Sequence, residues 1–131
     1  MTDILIVEDD RSLRQLYEKA LSFNGYNVIQ PSAKNGEEAI AIFKNTEKKP
    51  DVIIMDHRMP VKNGLEATEE ILKLDENIQV IFASADKSVR EKALSMGVIS
   101  FKDKPFTLQR LFSNIKKALK KKNAQNQKIF Y

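Results

Sequence analysis

VIIMDHRMP (residues 52–60) places four apolar residues in a row directly before an acid, Asp56. A short apolar run that ends in polar residues and a proline is typical of a strand buried on both faces, as in a parallel sheet. Asp56 would then lie at the carboxyl end of that strand. Open α/β sheets bind their ligands at such ends, so Asp56 is the first candidate site residue.

The rest of the chain alternates between strand patterns and helix patterns. Parallel neighbours need a crossover connection, so this alternation favours an α/β fold with five parallel strands and helices on both faces. The expected strand order is 2-1-3-4-5, that of a flavodoxin-like doubly wound sheet. The predicted strands are DILIV (3–7), YNVIQP (26–31), DVIIM (51–55), IQVIFAS (78–84) and VISFK (98–102).

Single residues mark the ends of the predicted helices. Asp10 is expected to cap the start of the first helix, because an aspartate side chain can accept a hydrogen bond from a free backbone N–H there. Gly25 and Gly97 are expected to follow the ends of the first and fourth helices, because glycine adopts the left-handed conformation that terminates many helices.

Composition limits the classes of protein that fit. A chain of 131 residues suits one domain. The absence of cysteine excludes disulfides and thiolate metal sites. We find no basic leader and no long apolar run, and we therefore expect a soluble cytoplasmic protein that does not span a membrane.

The net charge of +4 is concentrated at one end of the chain. Six of the 22 basic residues are lysines from Lys116 onward, where no acid occurs, which leaves 16 basic and 18 acidic side chains before them. We expect a domain over residues 1–121 and a basic, polar tail over residues 122–131. The tail lacks a second folded reader and has no aromatic side chains within its lysine run, so we expect no DNA-binding domain.

Polar and charged residues follow the other predicted strands at the same edge of the sheet. Glu8 and Asp9 follow the first strand, Ser84 ends the fourth, and Lys104 follows the fifth. Two carboxylates about 4 Å apart repel by roughly 4 kcal/mol at an effective dielectric near 20. Asp9 and Asp56 could not both stay ionised without a bound cation, so we expect a divalent cation there. An all-oxygen ligand set suits Mg²⁺, and a lysine beside it can clamp an anion. Together these groups indicate phosphoryl transfer, with an aspartate as the acceptor.

Five motifs, in order and spacing, resemble the receiver domain of two-component response regulators over residues 3 to 120. They are ILIVEDD, VIIMDHRMP, NG, IFASAD and FKDKPF. The resemblance implies that Asp56 is the phosphoacceptor. It also implies that Mg²⁺ is bound by Asp9 directly, by Glu8 through water, by Asp56 and by the backbone carbonyl of Arg58.

The same resemblance implies a signalling switch. A sensor histidine kinase or phosphotransfer protein would donate the phosphoryl group, Ser84 and Lys104 would bind it, and Phe101 would change rotamer. The surface formed by the fourth helix, fifth strand and fifth helix would then change its affinity for a downstream protein effector. The family also implies a cis peptide between Lys104 and Pro105, and a monomer or weak dimer.

Three other residues near the predicted site need an interpretation. Arg58 lies two residues after Asp56, and Asp86 lies two residues after Ser84. We hypothesise that Arg58 and Asp86 form an ion pair across the opening of the site, which slows the entry of attacking water and so the loss of the phosphoryl group. His57, the single histidine, is expected to point away from Asp56, because neighbouring strand residues face opposite sides.

Rival functions remain open at this point. A flavodoxin-like electron carrier would share the strand order, but the acids of EDD would repel a flavin phosphate. A Mg²⁺-dependent phosphatase with an aspartate nucleophile typically has a second acid two residues after the nucleophile, where this chain has Arg58. A receiver-like scaffold that works without phosphorylation is the third alternative.

Overall fold

Strands and helices alternate along the chain in a computed structural model that describes residues 2–104 and 107–129, with the side chains of residues 100–103 and 125–129 outside the description. A single turn of 3₁₀ helix, Lys87–Val89, precedes the fourth α-helix. The elements are β1 (Asp3–Val7), α1 (Arg11–Phe23), β2 (Asn27–Val28), α2 (Gly36–Asn45), β3 (Val52–Asp56), α3 (Gly64–Leu74), β4 (Gln79–Ser84), α4 (Arg90–Ser95), β5 (Ser100–Asp103) and α5 (Leu108–Ile129).

The strands pair in parallel in the order β2-β1-β3-β4-β5. The α/β class, with a parallel sheet flanked by helices, is therefore confirmed. The chain order reverses between β1 and β3, which places the gap between their carboxyl ends where doubly wound sheets bind ligands.

The second strand is shorter than the sequence predicts. Only Asn27 and Val28 belong to β2, although the pattern predicts residues 26–31. Pro31 has no N–H to donate to a ladder. The chain nevertheless continues beside β1, since Ala33 donates a backbone hydrogen bond to the Ile6 carbonyl.

The sheet separates two hydrophobic cores. One lies between the sheet and helices α1 and α5, and the other between the sheet and helices α2, α3 and α4. Every residue of β3 is buried, because β3 is a central strand that contacts both cores. This explains why its sequence is a continuous apolar run and does not alternate.

The predicted helix ends are confirmed. The Asp10 side chain accepts a hydrogen bond from the Leu13 N–H at the start of α1, with an N–O distance of 2.9 Å. Gly25 and Gly97 follow α1 and α4 with φ angles of +86° and +102°. Both angles lie in the left-handed region that glycine adopts without strain.

Helix α5 continues through the residues assigned to the tail. It runs to Ile129, so residues 122–129 extend the helix that packs on the sheet. Lys122 Nζ lies 2.5 Å from Asp51 Oδ1, at the start of β3, which ties this part of the helix to the domain. In the described ranges, no helix is both long enough and apolar enough to cross a bilayer.

Candidate functional site

Three carboxylates meet at the carboxyl edge of the sheet, where β1 and β3 end. Glu8 and Asp9 follow the last residue of β1, and Asp56 is the last residue of β3. The pairing of Val7 with Met55 brings these ends side by side. One carboxylate oxygen from each acid lies within 4.8 Å of the others. We call Glu8, Asp9 and Asp56 the acidic cluster.

Two of the three acids are withdrawn from water. Glu8 is 2% exposed and Asp56 is 7% exposed, whereas Asp9 is exposed. Burial, opposed by the hydrogen bond from Lys104 and reinforced by the charge of Asp56, raises the pKa of Glu8 to about 7. Burial and mutual repulsion therefore disfavour the ionised carboxylates of the cluster, and a bound cation would stabilise them.

Lys104 is the cation that the chain itself places beside the acidic cluster. Its Nζ lies 2.6 Å from Glu8 Oε1 and 3.1 Å from Asp56 Oδ1. Burial alone would lower the pKa of Lys104, but the hydrogen bond to Glu8 and the charge of Asp56 outweigh it and raise the pKa. Lys104 therefore remains charged at neutral pH. One ammonium cannot balance three carboxylates, so the site keeps room for a further positive charge.

The ligands of the acidic cluster are all oxygens. Hard divalent cations such as Mg²⁺ prefer carboxylate and carbonyl oxygens, and Mg²⁺ retains waters that other groups can replace. The exposed Asp9 lies on the open side of the cluster, where a hydrated ion can approach. The donor set therefore fits Mg²⁺.

Ser84 ends β4 beside Asp56. It is 1% exposed, and Asp56 pairs with the preceding residue, Ala83, in the sheet. The Ser84 Oγ accepts a hydrogen bond from the Asp86 N–H at 3.0 Å. That bond uses a lone pair of the hydroxyl oxygen and not the hydroxyl proton.

The ion pair predicted between Arg58 and Asp86 is present. Arg58 Nη2 lies 3.5 Å from Asp86 Oδ2. The Asp86 carboxylate also accepts hydrogen bonds from the backbone and hydroxyl of Ser88, and these contacts hold the pKa of Asp86 below its usual value. Ser88 thus orients the acid, while the Arg58 side chain is 78% exposed.

Gly64 was not predicted as a site residue, although it lies within the NG motif. A β-carbon at Gly64 would lie 2.1 Å from the carbonyl oxygen of Asp56 and 2.8 Å from the Cα of His57. The Gly64 N–H also donates to the His57 carbonyl at 2.9 Å. The start of α3 therefore packs directly against the backbone that carries Asp56, and only glycine fits.

Other predicted residues lie around this site or outside the description. Phe101 pairs with Phe82 in the sheet, and its predicted rotamer change concerns a side chain outside the described residues. The predicted cis peptide between Lys104 and Pro105 also lies outside them. The ring of His57 lies 5.9 Å from the ring of Phe82, on the side of the sheet covered by α2, α3 and α4.

Comparison with known sequences gives one consistent result. Residues 4–116 match the family model described as the response regulator receiver domain. The chain is 35% identical over 119 residues to the chemotaxis protein CheY of Thermotoga maritima, covering 89% of this chain and 97% of that protein. It is 32% identical over 120 residues to the response regulator MprA of Mycobacterium sp. (strain KMS), covering 90% of this chain. The chain spans about half the length of the MprA relatives that it matches.

Solved structures give the same result. The receiver domain of a response regulator from Clostridium thermocellum has a TM-score of 0.89 and 27% identity, covering 95% of this chain and 99% of that one. The response regulator TrrA from Thermotoga maritima, solved in complex with Mg²⁺-BeF, has a TM-score of 0.81 and 32% identity, covering 91% of this chain and 100% of that one.

Proposed function

This chain belongs to the receiver domain family of two-component response regulators, and we propose that it is a phosphorylation-activated switch whose phosphoacceptor is Asp56. The observation that carries this proposal is the position of the Asp56 carboxylate. It is buried at the end of β3, inside the acidic cluster, with Oδ1 3.1 Å from Lys104 Nζ.

Mg²⁺ is the cofactor of this proposal. Glu8, Asp9 and Asp56 would hold it, together with the backbone carbonyl of Arg58, in agreement with the all-oxygen donor set of the acidic cluster. When bound, Mg²⁺ supplies positive charge to the oxygens of the transferred phosphoryl group. The Mg²⁺-BeF complex of the relative TrrA supports this assignment.

The chain's own residues accept and hold the phosphoryl group. A carboxylate oxygen of Asp56 forms a bond to phosphorus as the bond between phosphorus and a histidine nitrogen of the donor breaks, and the imidazole leaves with the electron pair. Lys104 Nζ, already beside Asp56, forms a charge-assisted hydrogen bond to one phosphoryl oxygen. The Ser84 hydroxyl, which accepts from the Asp86 N–H through its oxygen, donates its proton to another.

The donor in this proposal is a sensor histidine kinase or a phosphotransfer protein, and the output is a changed affinity for a downstream effector. Movement of Ser84 toward the phosphoryl group opens space that the Phe101 side chain fills. Because Phe101 lies on β5, the surface formed by α4, β5 and α5 responds. The backbone supports this coupling, since the Lys104 N–H donates to the Ser84 carbonyl at 3.0 Å.

The Arg58–Asp86 pair tunes the lifetime of the phosphorylated state. Both residues lie next to the site, and their 3.5 Å contact spans the loops that follow β3 and β4. A closed pair hinders the entry of attacking water. Arg58→Ala and Asp86→Ala are each expected to speed phosphoryl loss, by at most about fivefold because exposed ion pairs are weak. An unchanged rate of loss in both variants would exclude this role.

Intact-protein mass measurement tests the proposed function. The chain is incubated with a small-molecule phosphodonor, with and without Mg²⁺, beside Asp56→Asn. We expect one added phosphoryl group that requires both Mg²⁺ and Asp56. Repeated turnover of a phosphomonoester would instead support a phosphatase. Mg²⁺ binding without any modification, by this donor or by a histidine kinase, would support a scaffold.

A further inference from the structure

Arg14 contacts the loop that carries two of the three clustered acids. It lies near the amino end of α1, and its Nη1 donates to the backbone carbonyl oxygens of Glu8 at 2.9 Å and of Asp9 at 3.3 Å. The side chain is half-buried. One guanidinium thus holds two consecutive peptide units of the β1–α1 loop.

The position of Arg14 is unfavourable in isolation. The amino end of a helix carries partial positive charge, which disfavours cations there, and the acid at this end of α1 is the capping residue Asp10, whose side chain accepts from the Leu13 N–H. Arg11, at the same helix end, is exposed, and the described ranges show no hydrogen bond or ion pair for its side chain. Arg14 differs from Arg11 in being compensated by the two carbonyl contacts.

Holding these carbonyls sets the direction of the acid side chains. The direction in which a side chain leaves the backbone depends on the φ and ψ angles of its residue, and the position of a carbonyl oxygen follows ψ. The other end of this segment is also held, because the Glu8 N–H donates to the Ala33 carbonyl at 3.0 Å. With Arg14 in place, the backbone of Glu8 is fixed on both sides.

Arg14 and Lys104 both bring positive charge to this region, but they use different acceptors. Lys104 contacts carboxylate oxygens of Glu8 and Asp56, the two buried acids of the proposed metal site. Within the part of the chain that the structure describes, the hydrogen bonds of the Arg14 side chain go to carbonyl oxygens of the loop. Arg14 can therefore stabilise the segment without competing with the ion for ligands.

We propose that Arg14 is a positioning residue for metal binding, which holds the β1–α1 loop so that the carboxylates of Glu8 and Asp9 face the ion. This inference rests on the proposed function, since it takes the acidic cluster to be the Mg²⁺ site. In this role Arg14 acts through its hydrogen bonds to the loop and not through its charge alone.

The sign of one measurement separates positioning from simple electrostatics. If Arg14 acted only through its charge, its removal would strengthen Mg²⁺ binding, because a cation near the site repels the ion. If Arg14 positions the ligands, its removal weakens binding even though the repulsion is lost. Residues that orient metal ligands typically change metal affinity by about tenfold or more when mutated.

Isothermal titration of the full chain with MgCl₂ at fixed ionic strength makes this measurement. We expect Arg14→Gln to raise the Kd for Mg²⁺ about tenfold. Arg14→Lys should fall between Arg14→Gln and the parent chain, because lysine keeps the charge but not the planar fork of donors. Arg11→Gln is the matched control, with the same charge change at the same helix end, and should leave the Kd unchanged or lower it slightly.

A second readout separates a binding defect from a general one. With a small-molecule phosphodonor, Arg14→Gln should need about tenfold more Mg²⁺ for half-maximal phosphorylation but reach nearly the parent rate at saturating Mg²⁺. Thermal unfolding in EDTA verifies that each variant is folded.

Three results would overturn the inference. Tighter or unchanged Mg²⁺ binding by Arg14→Gln would show that Arg14 does not position the ligands. Equal weakening by Arg14→Gln and Arg11→Gln would show a general charge effect. Absence of Mg²⁺ binding by the parent chain would refute the proposed metal site as well, and so is distinguishable from failure of the Arg14 proposal alone.

Discussion

The two edges of the sheet both place acids beside lysines, but in different proportions. At the carboxyl edge, the acidic cluster of Glu8, Asp9 and Asp56 has ion pairs to one lysine among the described residues, Lys104, which contacts Glu8 and Asp56. At the amino edge, two acids have two lysines. Asp3 pairs with Lys48 at 2.7 Å, and Asp51 pairs with Lys122 at 2.5 Å. We call the second set the amino-edge pairs.

Neutral donors complete the balance at the amino edge. The Asp3 N–H donates to Asp51 Oδ2 at 2.8 Å, and the Asn27 side-chain amide donates to Asp3 Oδ1 at 2.6 Å. The amino edge is therefore charge-balanced and well hydrogen-bonded, which suits an anchor for the chain. The carboxyl edge keeps excess negative charge, which suits a binding site for a cation. Unbalanced charge, more than the number of acids, therefore distinguishes the site.

Backbone packing provides the largest contrast between the edges. Gly64→Ala, beside Asp56, is expected to lower the free energy of unfolding by about 3 kcal/mol, because a β-carbon there overlaps the Asp56 carbonyl at 2.1 Å. At Gly25, near the start of β2, an added β-carbon has no atom within 4 Å. Gly25→Ala is therefore expected to lower the free energy of unfolding by about 1 kcal/mol, from the strain of the +86° φ angle alone. Urea unfolding of both variants measures the difference. Equal losses would contradict a steric cause at Gly64.

The pH dependence of stability should differ in sign between the edges. In the folded chain the pKa of Glu8 is raised to about 7 from 4.5, so the unfolded state loses its proton first as the pH rises. Between pH 4.5 and 7 this group therefore destabilises the metal-free chain, by at most about 3 kcal/mol in total. The pKa of Asp3 is lowered by its hydrogen bond to Lys48, so its contribution to stability is present above pH 3.8 and is lost only as the pH falls further.

Glu8→Gln should thus flatten the fall in unfolding free energy between pH 4.5 and 7. Asp3→Asn, at the other edge, should leave that fall in place. Urea titrations in EDTA at several pH values measure both. A steep fall that persists in Glu8→Gln would mean that another group causes it.

The sequence predicted most of this arrangement, for identifiable reasons. The continuous apolar run of β3 and the helical spacing around it are strong signals, and they predicted the α/β class and brought Asp56 to the carboxyl edge. The length of β2 was overestimated, because the apolar pattern continues to Pro31, which has no N–H to donate to β1, and the strand is only Asn27–Val28. The carboxylates and Lys104 can be recognised by residue type. Gly64 and Arg14 act through a close backbone approach and through carbonyl contacts, which depend on how the loops before α3 and α1 fold.

Added Mg²⁺ should stabilise the chain through the carboxyl edge alone. At a Mg²⁺ concentration ten times its Kd, binding raises the free energy of unfolding by about 1.4 kcal/mol. Asp9→Asn removes one ligand of the acidic cluster and should abolish this increase at the same Mg²⁺ concentration. Asp51→Asn changes an acid of the amino-edge pairs and should keep it. Loss of the increase in both variants would show that Mg²⁺ acts on the chain's overall charge.

The smallest effect should come from Lys122, which joins α5 to the amino edge through Asp51. The Lys122 side chain is 30% exposed, so Lys122→Gln is expected to lower the free energy of unfolding by less than about 1 kcal/mol. The rate of phosphorylation by a small-molecule donor should not change, because the amino-edge pairs share no residue with the acidic cluster. Lys121→Gln, an exposed neighbour on the same helix, controls for the loss of one positive charge. A slower phosphorylation in Lys122→Gln but not in Lys121→Gln would mean that the two edges are coupled through the sheet, and that the amino-edge pairs do more than anchor α5.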